Sequence, residues 1–311
     1  MKYLKIVIIN LLVLTLLYQI LEISCFFIEL TRSYKNCNDN RTFWEYTVDN
    51  LTKYYPIKYK SFDKTYENLY FRETAGSEFS DKQPILIFGC SYAFGAKLKE
   101  NQTFSYKLSK YLHRKVYNRA NNGWGPQNML YQVQRPDFYN IVKETPAAVI
   151  YVFMDGHLYR TYREVWTFEN QTFYKYSNGK LVQSPFKAGQ PLYGYVARKI
   201  RYLYAENTWH NPNKYNEVNK FFTDHFLSAK QEMDKHWENT KYYILVYSCN
   251  EIEKQMLNNL NNKGFKVIYT SNLTDKNLNT IEYQISKNDM HPNENAWNLL
   301  TPLIANQLNL K

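Results

Sequence analysis

Residues 85 to 95 read Ile-Leu-Ile-Phe-Gly-Cys-Ser-Tyr-Ala-Phe-Gly. A short apolar run, Ile85 to Phe88, stops at Gly89, and a lone serine, Ser91, follows two residues later. An apolar run of this length, bounded by glycine, predicts a buried parallel strand. Glycine lets the chain turn sharply, and the small residues beside it leave room for a substrate. Open α/β sheets hold their ligands at the carboxyl edge of such strands. One serine after one strand is a common pattern. Its weight comes from the far end of the chain, where Asp289-Met290-His291-Pro292-Asn293 precedes the last predicted helix and supplies a histidine and a carboxylate together.

Three separated blocks share this logic. Gly89-Cys90-Ser91-Tyr92 resembles the first block of the SGNH (GDSL-type) hydrolases. Asn118-Arg119-Ala120-Asn121-Asn122-Gly123-Trp124-Gly125 resembles their second, whose glycine offers a backbone N–H to an oxyanion. Asp289 to Asn293 resembles the last block, and Met154-Asp155-Gly156-His157 falls where the third belongs. The resemblance runs from about residue 84 to 308. It implies a three-layer, flavodoxin-like α/β fold, with Ser91 as nucleophile, His291 as general base and Asp289 as the group that orients it. The oxyanion would be held by the N–H groups of Ser91 and Gly123, with His157 a further candidate. No metal or cofactor is implied.

The chain departs from the family pattern at three places. Cys90 stands where an aspartate is usual. The third block lacks its asparagine, and Gly156 or His157 takes that place. The usual acid position, three residues before the histidine, is Asn288, whereas Asp289 lies only two before. A Cys90 nucleophile is the competing reading of the first block. Cys90 and Cys249 both follow strand-like runs and read as small buried apolar residues.

At 311 residues the chain can hold one large α/β domain with attachments. The net charge of +11 favours anionic partners or a solvated lysine-rich surface. Helix-turn-helix, zinc-finger and RNA-recognition patterns are absent, so nucleic acid is not an expected partner. The cysteines show no metal-ligand spacing.

The N-terminus reads as a membrane anchor. Lys2 and Lys5 precede a mostly apolar run from Ile6 to Ile28, long enough, at roughly 1.5 Å per helical residue, to cross a ~30 Å hydrocarbon core. Lysines ahead of the run place the N-terminus in the cytoplasm and the rest of the chain outside it. A cleaved signal, or a lipoprotein at Cys25, are the alternatives. The expected organisation is a tip and transmembrane helix at 1–28, a stalk or cap at 29–80 and the hydrolase-like domain at 81–311.

Within that domain the pattern predicts strands at 84–89, 115–118, 147–153, 242–248 and 265–269. Helices are predicted at 103–113, 126–142, 214–237, 251–263, 277–286 and 294–308. An insertion at about 159–213 contains Phe173 to Val182, where Asn178-Gly179 predicts a tight hairpin. Trp297, Leu300, Ile304 and Leu308 recur at helical spacing and should form a core face. The resemblance implies an extracytoplasmic serine esterase on an acylated glycan or small ester. An O-acyltransferase and a non-catalytic glycan-binding or assembly protein are the alternatives. The sequence sets no oligomeric state.

Overall fold

A computed structural model describes residues 9–11, 13–18, 20, 24, 71, 72, 74–79, 81–161, 174–183 and 212–310. They fall in two units, and the larger spans Leu69–Ala188 and Thr208–Lys311. Its centre is a five-stranded parallel sheet. The strands are β1 (Ile85–Gly89), β2 (Val116–Asn118), β3 (Ala148–Phe153), β6 (Lys241–Val246) and β7 (Phe265–Tyr269). Their order is β2-β1-β3-β6-β7, and every neighbouring pair is parallel. That is the flavodoxin-like arrangement, with the order reversing between β1 and β3. The carboxyl ends of those two strands therefore diverge into a crevice.

Alternation within β1 explains its unbroken apolar run. Ile85 and Ile87 belong to the core cluster that also holds Trp297, Leu300 and Ile304, while Leu86 and Phe88 are equally buried outside that cluster. Helices α2 (Phe104–Leu112) and α8 (Glu294–Leu308) pack on each other, and Phe104 stacks on Trp297 at 4.8 Å between ring centroids. Helix α3 (Pro126–Val133) packs instead on the long α6 (Pro212–Asp234), and α6 on α7 (Glu251–Asn261). All four residues of the predicted α8 face are fully buried.

Two helix expectations are corrected. The segment 126–142 is two helices, α3 and α4 (Pro136–Ile141), because Pro136 has no N–H to continue the ladder and Arg135 before it is extended. Residues 277–286 are not helical. Asn279 N–H donates to the Asn277 side chain at 3.0 Å and the Thr280 hydroxyl to the Asn277 carbonyl at 3.1 Å, local turns that compete with a helix. The chain then runs into β8 (Gln284–Ser286), paired antiparallel with β9 (Asp289–Pro292).

The hairpin forms as expected, β4 (Tyr174–Ser177) against β5 (Lys180–Gln183), with Asn178 and Gly179 both at positive φ. The rest of the 159–213 insertion beyond Thr161, and most of 29–80, lie outside the described residues. Of the predicted anchor, residues 9–11, 13–18, 20 and 24 are helical, and the others lie outside the described residues. Among the described residues no helix is long and apolar enough to cross a membrane.

Candidate active site

β1 ends at Gly89, whose φ is +146°. A Cβ there would lie 2.8 Å from the Val152 carbonyl oxygen and 2.9 Å from the Ala93 Cβ, so only glycine makes this turn without displacing β3. The chain then enters α1 (Ser91–Phe94) directly. Ser91 is the first residue of that short helix, where backbone N–H groups have no partner within the helix. Cys90 points the other way and is fully buried in the core cluster. That position suits the inert reading of its thiol and not the nucleophilic one. Cys249, expected to be buried, is only partly so, and burial raises its thiol pKa to about 11.

β9 delivers the histidine. His291 Nε2 stands 2.7 Å from Ser91 Oγ, and His291 Nδ1 bonds Asp289 Oδ1. The same carboxylate oxygen accepts the His291 backbone N–H at 3.1 Å. A two-residue offset works here because Asp289 and His291 lie in a strand, where residues i and i+2 share a face. The segment is held as a strand by antiparallel pairing with β8. Its strand geometry is what brings the carboxylate to Nδ1.

Two further residues complete this line. Lys97 Nζ lies 2.7 Å from Asp289 Oδ2. Burial works against the charge on Asp289, but bonds from Lys97 and from the ring and backbone of His291 outweigh it, and its pKa falls below the ordinary carboxylate value. Tyr92 packs against the His291 ring at 5.1 Å between centroids and donates its hydroxyl to the Met290 carbonyl at 3.2 Å. Asn293 anchors the strand from behind. Its side chain caps α8 at Ala296 N–H and donates to the carbonyls of Glu282 and Gln284 at 2.9 and 2.8 Å. Lys97 and Tyr92 carried no signal in the sequence beyond their nearness to Ser91.

The second block lies beside the elbow. Arg119 N–H donates to Ile87 O at 2.8 Å and Asn121 N–H to Gly89 O at 3.3 Å, which holds the loop carrying Gly123 against the end of β1. The third block behaves differently. His157 opens α5 (His157–Thr161) but is wholly buried, with Nδ1 3.1 Å from the Tyr151 hydroxyl and Nε2 without a hydrogen-bond partner among the described residues. Burial, helped by the Arg160 charge, pushes its pKa well below the usual histidine value. His157 therefore packs under the sheet edge as a neutral ring, which argues against the oxyanion role the sequence suggested for it. Asp155 accepts a hydrogen bond from the Ser248 hydroxyl at 2.7 Å, and Gly156 N–H donates to Glu253 at 3.3 Å. Burial raises Glu253 to about 7. Among the described residues no cluster of three or more histidine, cysteine or acidic side chains is placed to hold a metal.

The parallel sheet, its strand order and the serine elbow fit an SGNH-like α/β fold. No family model matches the chain, and no curated protein matches it. Solved structures with a similar fold include a lipolytic protein of the G-D-S-L family from Desulfitobacterium hafniense, at 11% identity and a TM-score of 0.42, covering 72% of this chain and 99% of that one. An acetyl xylan esterase from Butyrivibrio proteoclasticus matches at 11% identity and TM-score 0.45, over 73% of this chain and 63% of its own length. A family two carbohydrate esterase from Clostridium thermocellum, in complex with cellohexaose, matches at 9% and 0.41, over 73% and 63%. The chemistry rests on the geometry of this chain's own residues.

Proposed function

We propose that the protein is a serine esterase that removes acyl groups, acetyl foremost, from a glycan. One observation carries the reading: Ser91 Oγ, His291 and Asp289 form a continuous hydrogen-bonded line at the carboxyl edge of the sheet. Serine is a weak nucleophile at its free pKa and needs such a base. His291 Nε2 takes the serine proton as Oγ attacks the ester carbonyl, then returns it to the leaving alcohol. Asp289 holds the Nδ1 proton and stabilises the cation that forms. Backbone N–H groups of Ser91 and Gly123 face the developing oxyanion in this reading. Water then attacks the acyl-serine with the same histidine as base. The net charge of +11 and the 30 tyrosines suit a glycan surface, which offers anionic groups and sugar faces.

Membrane attachment belongs to the same proposal. The helical residues near the N-terminus expose Ile9, Leu11, Leu14, Leu16 and Leu17, side chains that suit a lipid environment better than water. With Lys2 and Lys5 ahead of them, the proposed orientation puts the catalytic unit outside the cytoplasm.

The test uses the full-length chain in detergent with p-nitrophenyl acetate and a fluorophosphonate probe. The wild type should turn over the ester and take the label at Ser91. Ser91→Ala should lose the label and about 10⁴-fold or more in turnover. Equal rates in the two proteins would remove the esterase assignment.

A further inference from the structure

The third block presents no neutral amide to an oxyanion, since Asp155, Gly156 and His157 all have other roles. One helical turn beyond Gly156, however, Arg160 folds back over the second block. Arg160 N–H donates to Gly156 O at 3.1 Å, and Gln127 Nε2 donates to Arg160 O at 3.0 Å, which fixes the backbone. Arg160 Nη1 donates to the Trp124 carbonyl at 3.0 Å, next to Gly123. A Cβ on Gly125 would sit 3.1 Å from the Arg160 Cβ, so the glycine leaves room for this approach.

The guanidinium is half-buried, yet among the described residues it pairs with no carboxylate. Its Nε and Nη2 make no hydrogen bond there, and neither is sealed from solvent. A partly buried cation with unused donors is costly unless it meets an anion. Its charge reaches Tyr92, the residue after Ser91 that packs on His291, as well as Tyr151 and His157. Arg160 thus lies against the second block, bonded beside Gly123, with donors to spare.

We propose that Arg160 is a catalytic residue of the Ser91 site, its guanidinium completing the oxyanion pocket where an asparagine amide is missing. This rests on the Ser91–His291 reading above. As Oγ bonds to the acyl carbon, the carbonyl π pair moves onto oxygen, and an Arg160 N–H donates to that oxygen. Collapse restores the carbonyl and breaks the bond to the alkoxide, which takes its proton from His291. A charged donor gives a stronger bond to an oxyanion than a neutral amide does. Its planar fork also holds the Trp124 carbonyl and the oxyanion with different nitrogens.

The test compares wild type, Arg160→Ala, Arg160→Gln and Arg160→Lys as full-length protein in detergent, on a neutral acetyl ester. Arg160→Ala should lower kcat by about 10²–10³-fold with KM nearly unchanged. Arg160→Lys should recover part of the rate, and added guanidinium ion should rescue Arg160→Ala, which a purely structural role would not allow. If Arg160→Ala fails to fold, Arg160→Gln must show the same kcat loss. Wild-type kcat in a folded Arg160→Ala protein overturns the proposal. So does a defect confined to KM for anionic esters, which would make Arg160 a substrate clamp, and so does loss of rate without guanidinium rescue. In each of these cases Ser91 still takes the fluorophosphonate. A wild type that neither turns over ester nor labels at Ser91 overturns the parent reading instead, and the Arg160 role falls with it.

Discussion

Two segments at the carboxyl edge depart in opposite ways from the SGNH pattern that the sequence resembles. In β9 the residue types are kept and the spacing changes: a carboxylate still accompanies His291, but from position 289 instead of 288. In the turn between β3 and α5 the spacing is kept and the residue type changes, because the asparagine is gone. The first departure is absorbed locally. Strand geometry carries Asp289 to His291 Nδ1, and pairing with β8 holds it there. The second has no local remedy, because a missing donor is missing chemistry. Any replacement must come from another turn of the helix, and Arg160 is the side chain so placed. Altered spacing can be met by altered backbone; a lost functional group needs a different side chain.

The strongest way to break this comparison lies in β9. His291→Ala removes the base and should cost as much as losing the serine. Asp289→Asn should cost about 10²–10⁴-fold in kcat, roughly 3–5.5 kcal/mol, since the amide favours the wrong imidazole tautomer. If Asp289→Asn kept the wild-type rate, the two-residue offset would not be functionally repaired, and a Ser–His dyad would remain.

The turn can be probed through Glu253, which accepts from Gly156 N–H and caps α7 at Asn250 N–H. Its pKa in the folded protein, about 7, lies above the ordinary 4.5. Between those values the folded state holds a proton that the unfolded chain has released. Stability from this group therefore falls as pH rises from about 4.5 to about 7, by an amount on the order of a few kcal/mol. Glu253→Gln should flatten that part of the thermal-midpoint profile. A slope unchanged from wild type would show that another group titrates there.

A smaller effect should sharpen the account of β9. Asn293→Ala removes the α8 cap, the bond to Gln284 in β8 and the bond to Glu282 just before it, and should lower stability by about 1–2 kcal/mol. Denaturant unfolding measures the loss. If β9 is held chiefly by Asn293, kcat should fall with stability, and if by β8 pairing, kcat should stay.

The sequence by itself determined the sheet, and its resemblance to the SGNH blocks pointed to Ser91 and His291. Apolar runs ending at glycine, helical periodicity in α8 and the Asn178-Gly179 turn are local signals. Local backbone preferences and burial suffice to realise them. Its two misread helices failed where local chemistry opposed the pattern, at Pro136 and in the asparagine-rich turns after Asn277. Only the tertiary structure decided that Asp289 reaches His291 across its two-residue offset, that Lys97 neutralises its outer oxygen, and that His157 is fully buried while Arg160 is only partly so. These depend on where side chains from distant segments converge, which is set by strand pairing, helix phase and burial in three dimensions and has no signature in residue spacing.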